Sequence, residues 1–345
     1  MSDDRTITID DVAKLAGVSR ATAGRVVGNY GSVSEKSRER VWDAVRQLDY
    51  QPNLIARGLR SQTTKTIAVI VGSIRNTYSI ALVYAVEKEA QKKGYNVLIC
   101  TTHEDIEKEL KHLKDLNSRK VDGVILMSAY RADANMDKKY KEFYISKLPI
   151  VFVDRNIPGI NRDVIQSENF DASYKATKYL MDMGHRKIGI IATSNFSTVQ
   201  ERIKGYKAAF ANAGIEYDES LIASVDELSD KMSRKVCHEF LEEHPDITAL
   251  YILNNSLCSG VLLDLKERQM KIPQDISLLV WDDEEYNELL DITTIEQPIT
   301  EIGKQATRRL FELIGEPEET TDFECKKLDP ELIIRKSCTL PKYRK

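Results

Sequence analysis

No stretch of the 345-residue chain approaches the ~18 consecutive apolar residues that a membrane-spanning helix requires, so no membrane partner is expected. The opening MSDDRTITIDD is acidic and carries no apolar segment, so an export leader is not expected and a soluble cytoplasmic protein is. Cysteine is sparse. Cys100, Cys237, Cys258, Cys325 and Cys338 are odd in number, scattered, and without CxxC or Cys/His ligand spacing. That argues against a disulfide framework and a zinc site and for reduced thiols. Also lacking are a phosphate loop, a metal cluster and a nucleophile with a base at hand, so no enzyme, catalytic residue, metal or cofactor is expected. His185, in MGHRKIGII, has neither a nucleophile nor an orienting partner in view and reads as structural.

What is present begins with length: 345 residues exceed one compact core, so two or three domains are expected. The formal net charge of -4 is uneven. Residues 14–60 hold nine Lys/Arg against four Asp/Glu, a surplus of +5 that leaves -9 for the remainder. A basic amino-terminal module on an acidic body suits an anionic partner for the module alone.

That module opens with TIDDVAKLAGVSRATAGRVVGN. Thr8 is placed to cap a helix, with Asp11 three positions later reaching back, and Ile9, Val12, Ala13 and Ala16 share a face before Gly17 ends the segment. Ser19 caps a second helix in which Ala23, Val26 and Val27 share a face; Ala21, Gly24 and Arg25 lie opposite, flanked by Arg20 and Thr22. A third helix starts at the Ser34 cap and buries Val41, Ala44, Val45 and Leu48. Three helices, the first two joined by a tight turn, make a helix-turn-helix bundle. Such a bundle sets the start of its second helix into the major groove, where small side chains allow close approach and arginines meet guanine edges or phosphates. A bundle used for protein contacts would show the same three helices.

TIDDVAKLAGVSRATAGRVV and VSEKSRERVWDAVRQLDYQPNLIARGLR, with the rest of residues 6–340, resemble the lactose-repressor (LacI/GalR) family of bacterial transcription regulators. The resemblance implies double-stranded, palindromic operator DNA as partner, contacted by Thr8, Ser19, Arg20, Ala21, Thr22, Gly24, Arg25 and Asn29. It also implies that the PN..AR.L segment, through Asn53, Ala56, Arg57 and Leu59, becomes a hinge helix on the operator, with Leu59 wedged into the minor groove. An apolar wedge between base steps kinks DNA at a cost of a few kcal/mol, offset by wider contact. Where the family has Thr-Val-Ser-Arg, this chain has Thr22, Ala23, Gly24 and Arg25. The mid-helix glycine costs up to ~1 kcal/mol against alanine, and the departure puts the operator sequence in question.

From Lys65 onward, β-rich apolar runs alternate with helical segments: TIAVIV, NVLIC, VDGVILM and VFVD, then VIQS, KIGIIA, ITALYIL and DISLLVW. Such alternation predicts α/β lobes, each a doubly wound parallel sheet. The expected organisation is a DNA-binding domain over 1–50, a hinge over 51–64, and an effector-binding and dimerisation body over 65–345. Lobe one would take about 65–161 and 295–322, lobe two about 162–294 and 323–340. The family resemblance makes this body periplasmic-binding-protein-like.

Ligands of open α/β sheets bind beyond the carboxyl ends of strands, which nominates Ser73, Met127, Asp154, Asn254 and Asp282. Their hydroxyl, amide and carboxylate groups suit a polyhydroxylated, carbohydrate-like effector. The resemblance adds Arg202 of the R..GY motif to Asp154, Asn254 and Asp282, and places Thr198 and Gln297 along the same cleft. Loop capping would also account for the two aspartates. Three departures stand out: Asn254-Asn255 where relatives have Asn-Asp, Asn76-Thr77-Tyr78-Ser79 where they have an NPFF-like run, and Val280 for a glycine.

Two copies reading half-sites imply a homodimer, and KSCTLPKYRK carries no apolar heptad for a tetramer tail. Closure of the lobes on a ligand would change operator affinity. Rival readings are a regulator that has lost operator binding and works through a protein partner, and a cytoplasmic solute-binding protein.

Overall fold

A computed structural model describes residues 7–28, 30–50, 63–131, 148–193, 196–226, 229–315 and 323–342. It divides into two units, Met1–Lys65 and Thr66–Lys345. Asn29 and the expected hinge residues Asn53, Ala56, Arg57 and Leu59 lie outside the described residues. Among the described residues no helix is long and apolar enough to cross a membrane.

The described residues of the first unit form three helices. In α1 (Ile9–Ala16) the Thr8 amide donates to the Asp11 carboxylate at 2.9 Å, the expected reach-back, and Gly17 ends the helix at φ +63°. That left-handed geometry is why glycine stands there. In α2 (Arg20–Gly28) the Ser19 hydroxyl oxygen accepts from the Thr22 amide at 3.1 Å. Ser34 precedes α3 (Glu35–Gln47) but makes no side-chain cap; its carbonyl accepts from Ser37 and Arg38 instead. Val12, Ala13, Ala16, Ala23, Val26, Val41 and Ala44 form the core. Val27, Val45 and Leu48, expected inside, are half-buried at its margin, because a core built from alanines and valines is too small to enclose every apolar position of three short helices.

The described residues of the second unit form twelve strands. The first five are β1 (Thr66–Val71), β2 (Asn96–Thr101), β3 (Gly123–Leu126), β4 (Ile150–Val153) and β5 (Val164–Ser167). Then come β6 (Ile188–Thr193), β7 (Ile222–Val225), β8 (Ala249–Ile252), β9 (Ser277–Trp281) and β10 (Thr293–Glu296). Last are β11 (Cys325–Leu328) and β12 (Glu331–Ile333). They form two six-stranded sheets ordered β11-β5-β4-β3-β1-β2 and β12-β10-β9-β8-β6-β7. The two orders are the same pattern twice, parallel throughout except where β12 runs against β10.

Continuous apolar strands need cover on both faces. Ile67, Val69 and Val71 pack under α4 (Thr77–Lys92) and a helix near the end of the chain, while Ala68 and Ile70 face α5 (Ile106–Ser118). In the second lobe α6 (Asn169–Asp182) and α7 (Ser197–Asn212) cover one face; α8 (Asp230–Glu243) and α9 (Cys258–Glu267) cover the other. The short α10 (Glu285–Leu289) follows β9, and the late helix covering lobe one is α11 (Ile299–Gly315). At Gly205 a Cβ would lie 2.3 Å from the Phe170 carbonyl oxygen, so only glycine lets α7 approach α6 this closely.

Lobe boundaries differ from the expectation. VIQS, expected to open lobe two, is β5 of the first sheet, paired with β4 and β11. TTIE, expected in lobe one, is β10 of the second sheet, and residues 325–328, expected in lobe two, are β11 of the first. The chain therefore crosses between lobes after Ser167, after Glu296 and after Leu328. Local patterning marks these segments as strands, but which neighbour each pairs with is a long-range choice.

Candidate functional site

In the first unit, the outward side of α2 presents Arg20, Ala21 and Arg25, all exposed, with Thr22 and Gly24 half-buried beside them. Arg20 pairs across solvent with Asp10 at 3.3 Å. Arg25 has no carboxylate partner among the described residues, and its methylene stem lies against Gly31. The surface is thus short-chained, cationic and next to a helix start, where backbone amides favour anions. Thr8 is exposed at the start of α1.

In the second unit, the carboxyl ends of the central strands of both sheets open on one cavity of about 860 Å³. Ser73, Met127, Asp154, Thr198, Arg202, Asn254, Asp282 and Gln297 all line it, although only Thr198 and Arg202 share an element, α7. Asp154 follows β4 and Asp282 follows β9, matching positions of the repeated sheet. Both hold left-handed backbone, φ +60° and +69°, and their amides donate to Ile165 and Ile295, each at 3.0 Å. Non-glycine residues held there cluster at functional sites.

Arg202 is 3% exposed. Its Nε donates to Asn169 Oδ1 at 2.8 Å, its Nη1 donates to the Leu253 carbonyl at 2.6 Å, and its plane lies 3.7 Å from the Trp281 ring centroid. The close α6–α7 packing at Gly205 holds donor and acceptor in register. Gln297 bridges the lobes: the Ser167 hydroxyl donates to its Oε1 at 2.6 Å, and its Nε2 donates to Asp282 at 2.5 Å. Asn254 caps a short turn, its Oδ1 accepting from the Ser256 amide at 3.0 Å. Ser73 likewise accepts from the Arg75 amide at 3.1 Å.

Several lining residues were not among those expected. Arg155 pairs with Glu104 at 2.5 Å and Asp154 at 3.5 Å, and stacks 3.7 Å from the Phe196 centroid. The Tyr78 hydroxyl is buried in the wall near Asp154, and the Thr193 hydroxyl is buried there without a hydrogen-bond partner among the described residues. His185 stands away from the cavity; buried, it bonds Thr248 Oγ1 and the Thr339 carbonyl, each at 2.8 Å, as a structural residue does.

Burial raises the Asp154 carboxyl against the pull of Arg155 and Arg202, and raises Asp282 to about 6 against the pull of Arg202 and Gln297. The folded protein therefore binds a proton at Asp282 that the unfolded chain, titrating near 3.8, releases. The associated stability is full below the unfolded value and is lost as pH rises through about 6. A shift of about two units corresponds to roughly 3 kcal/mol. Thermal unfolding of wild type and Asp282→Asn from pH 4 to 8 should show wild type gaining relative to the variant as pH falls; parallel curves would remove Asp282 as the titrating group.

The comparisons agree with this geometry. Residues 8–53 match the model for bacterial regulatory proteins of the lacI family, and residues 64–329 match that for periplasmic binding proteins and the sugar binding domain of the LacI family. The HTH-type transcriptional repressor PurR of Haemophilus influenzae (strain PittEE) is 33% identical over 338 residues, spanning 96% of this chain and 98% of that protein. PurR of Pasteurella multocida (strain Pm70) is 32% identical over 334 residues, with the same coverage. A solved complex of the transcriptional regulator CelR with cellobiose superposes with a TM-score of 0.70 at 27% identity, covering 96% of this chain and 99% of that one. The lac repressor dimer bound to operator and the anti-inducer ONPF shares the fold, with a TM-score of 0.83 at 23% identity, covering 97% and 100%. With a helix-turn-helix module, a two-lobed body and relatives a third identical along nearly its whole length, the protein belongs to the lacI family of bacterial regulatory proteins, DNA-binding regulators rather than enzymes.

Proposed function

We propose that the protein is a cytoplasmic, homodimeric repressor that binds a palindromic operator through α2, and that a small polyhydroxylated ligand in the interlobe cavity sets its operator affinity. In this reading Thr8, Ser19, Arg20, Ala21, Thr22, Gly24, Arg25 and Asn29 meet the major groove and its phosphates, and Asn53, Ala56, Arg57 and Leu59 form the hinge. Ser73, Met127, Asp154, Thr198, Arg202, Asn254, Asp282 and Gln297 receive the ligand. The observation that carries it is the convergence of Asp154, Asp282 and Arg202 from two lobes on one cavity. Carboxylates and a guanidinium held in a dry wall bind vicinal hydroxyls well.

The ligand chemistry follows from what covers the rings. Arg155 lies on Phe196 and Arg202 on Trp281, both at 3.7 Å, so these two faces are already occupied by guanidinium groups. A planar aromatic ligand is denied those stacking platforms, whereas the Thr193 hydroxyl has no hydrogen-bond partner among the described residues. The CelR complex, whose ligand is cellobiose, supports the carbohydrate assignment. Dimerisation is supported by exposed Ile80 and Tyr84, one turn apart on α4, and by exposed Ile99 on the edge strand β2, on the sheet face that α4 covers; exposed apolar surface of this kind marks an interaction site.

A thermal-shift panel of sugars, sugar acids, sugar phosphates and nucleobases tests the reading, followed by operator titration with each hit. At a hundredfold excess over Kd a ligand stabilises by about 2.7 kcal/mol. A polyhydroxylated hit that changes operator affinity is the expected result; stabilisation by nucleobases alone would overturn the ligand assignment.

A further inference from the structure

At the mouth of the cavity the lobes are joined by side chains alone. Asn76 Nδ2, in lobe one, donates to Asn255 Oδ1 at 3.1 Å and to Ser256 Oγ at 2.8 Å in lobe two. Thr77 Oγ1 donates to Glu284 Oε1 at 2.6 Å and accepts from Asn255 Nδ2 at 2.9 Å. The same Nδ2 donates to Glu284 at 2.8 Å, within lobe two. Asn76 is itself held, its Oδ1 capping α4 through the Ser79 amide at 3.2 Å. All five residues line the cavity, on the side where α4 begins rather than at the crossovers where Gln297 sits.

Asn255 is the centre of this network, and only an amide satisfies it. Its oxygen must accept from Asn76 while its nitrogen donates to both Thr77 and Glu284. A carboxylate has no donor, and would set a second negative charge against Glu284. Thr77 must both give and receive a hydrogen bond, which a proline cannot do. Thr77 and Asn255 are two of the positions at which the sequence departs from the pattern it otherwise resembles.

We propose that Asn76, Thr77, Asn255, Ser256 and Glu284 form an interlobe latch that biases the cleft toward closure through protein contacts alone, so that ligand exchange waits on its opening. Each of the four interlobe bonds counts for roughly a factor of 2 to 12 in the closed-to-open ratio, enough together to make closure the dominant state. The gating role rests on the cavity being the ligand site; the closure itself does not.

The latch is tested by electron–electron distance measurement on the full-length protein without added ligand. Nitroxides are placed at the exposed Lys111→Cys on lobe one and Lys235→Cys on lobe two, in a Cys100→Ser, Cys325→Ser background mixed with excess unlabelled protein so that each dimer carries one labelled pair. A narrow distance distribution is expected for the otherwise unaltered protein. Asn255→Asp should lengthen and broaden it, raising the open fraction on the order of tenfold. Adding Glu284→Gln to Asn255→Asp restores a donor opposite the new carboxylate and should bring the narrow distribution back. A distribution unchanged by Asn255→Asp, or a broadening that Glu284→Gln does not reverse, overturns the latch. Circular dichroism on each variant separates loss of fold from loss of closure, since an unfolded variant is not reversed by a single amide. The readout needs no ligand, so the latch can fail while the ligand reading stands, and the reverse.

Discussion

Arg202→Ala is expected to abolish the ligand response while leaving operator binding in place. In the folded body this guanidinium gives Nε to Asn169 and Nη1 to the Leu253 carbonyl. Its Nη2 makes no hydrogen bond among the described residues, and its plane is braced on Trp281. It is therefore pre-oriented, with donors left for a ligand. Hydrogen bonds to a charged group contribute about 1.5–3 kcal/mol each, so loss of two lowers affinity on the order of 100-fold or more. Removal also strips Asp282 and Asp154 of a buried cation, a change that destabilises by about 3–5 kcal/mol where the pair is well formed. Arg202→Lys separates the effects: it keeps a charge for the carboxylates but loses the planar fork, so stability should largely return while ligand affinity does not. Ligand titrations followed by thermal shift, with operator binding measured on the same samples, decide it. An unaltered titration in Arg202→Ala would take this residue out of the site.

The second large effect belongs to Arg25. Exposed on α2 and without a carboxylate partner among the described residues, it is ready to meet a guanine edge or a phosphate. A bidentate base contact is worth about 1–3 kcal/mol, and in a twofold complex it is lost twice. Arg25→Ala should therefore weaken operator binding on the order of 30-fold or more and flatten its salt dependence. Ligand-induced thermal shifts of the body should be unchanged. Arg20→Ala is the informative contrast, because Arg20 already has Asp10 beside it and gives that pairing up on binding DNA. Fluorescence anisotropy on a palindromic duplex at several salt concentrations checks both; wild-type affinity in Arg25→Ala would sink the groove reading of α2.

The cavity residues that could be read in advance share a property: their place follows from local position. Asp154 and Asp282 stand just beyond apolar strand runs, and Arg202 sits in a motif with the glycine that sets its helix against α6. Arg155 could not be read that way, although it adjoins Asp154. Its direction depends on the left-handed turn at Asp154, φ +60°, which aims the following side chain back over Phe196. Tyr78 likewise reads as one more position of α4, and only the fold shows its hydroxyl buried in the cavity wall. Asn255 and Thr77 were visible only as departures from a pattern; that they meet across 178 positions of sequence is a property of the fold.

The order of letters alone determined the period of each element, the cap of α1, the basic outer side of α2 and the alternation of strands with helices, because these depend on neighbours a few residues apart. Tertiary structure decided which sheet took β5, β10 and β11, how three crossovers set the lobes face to face, and which polar groups met in the space between them. Those outcomes rest on pairings between distant segments, whose free energy depends on what else is already packed and leaves no mark in any short window of the chain.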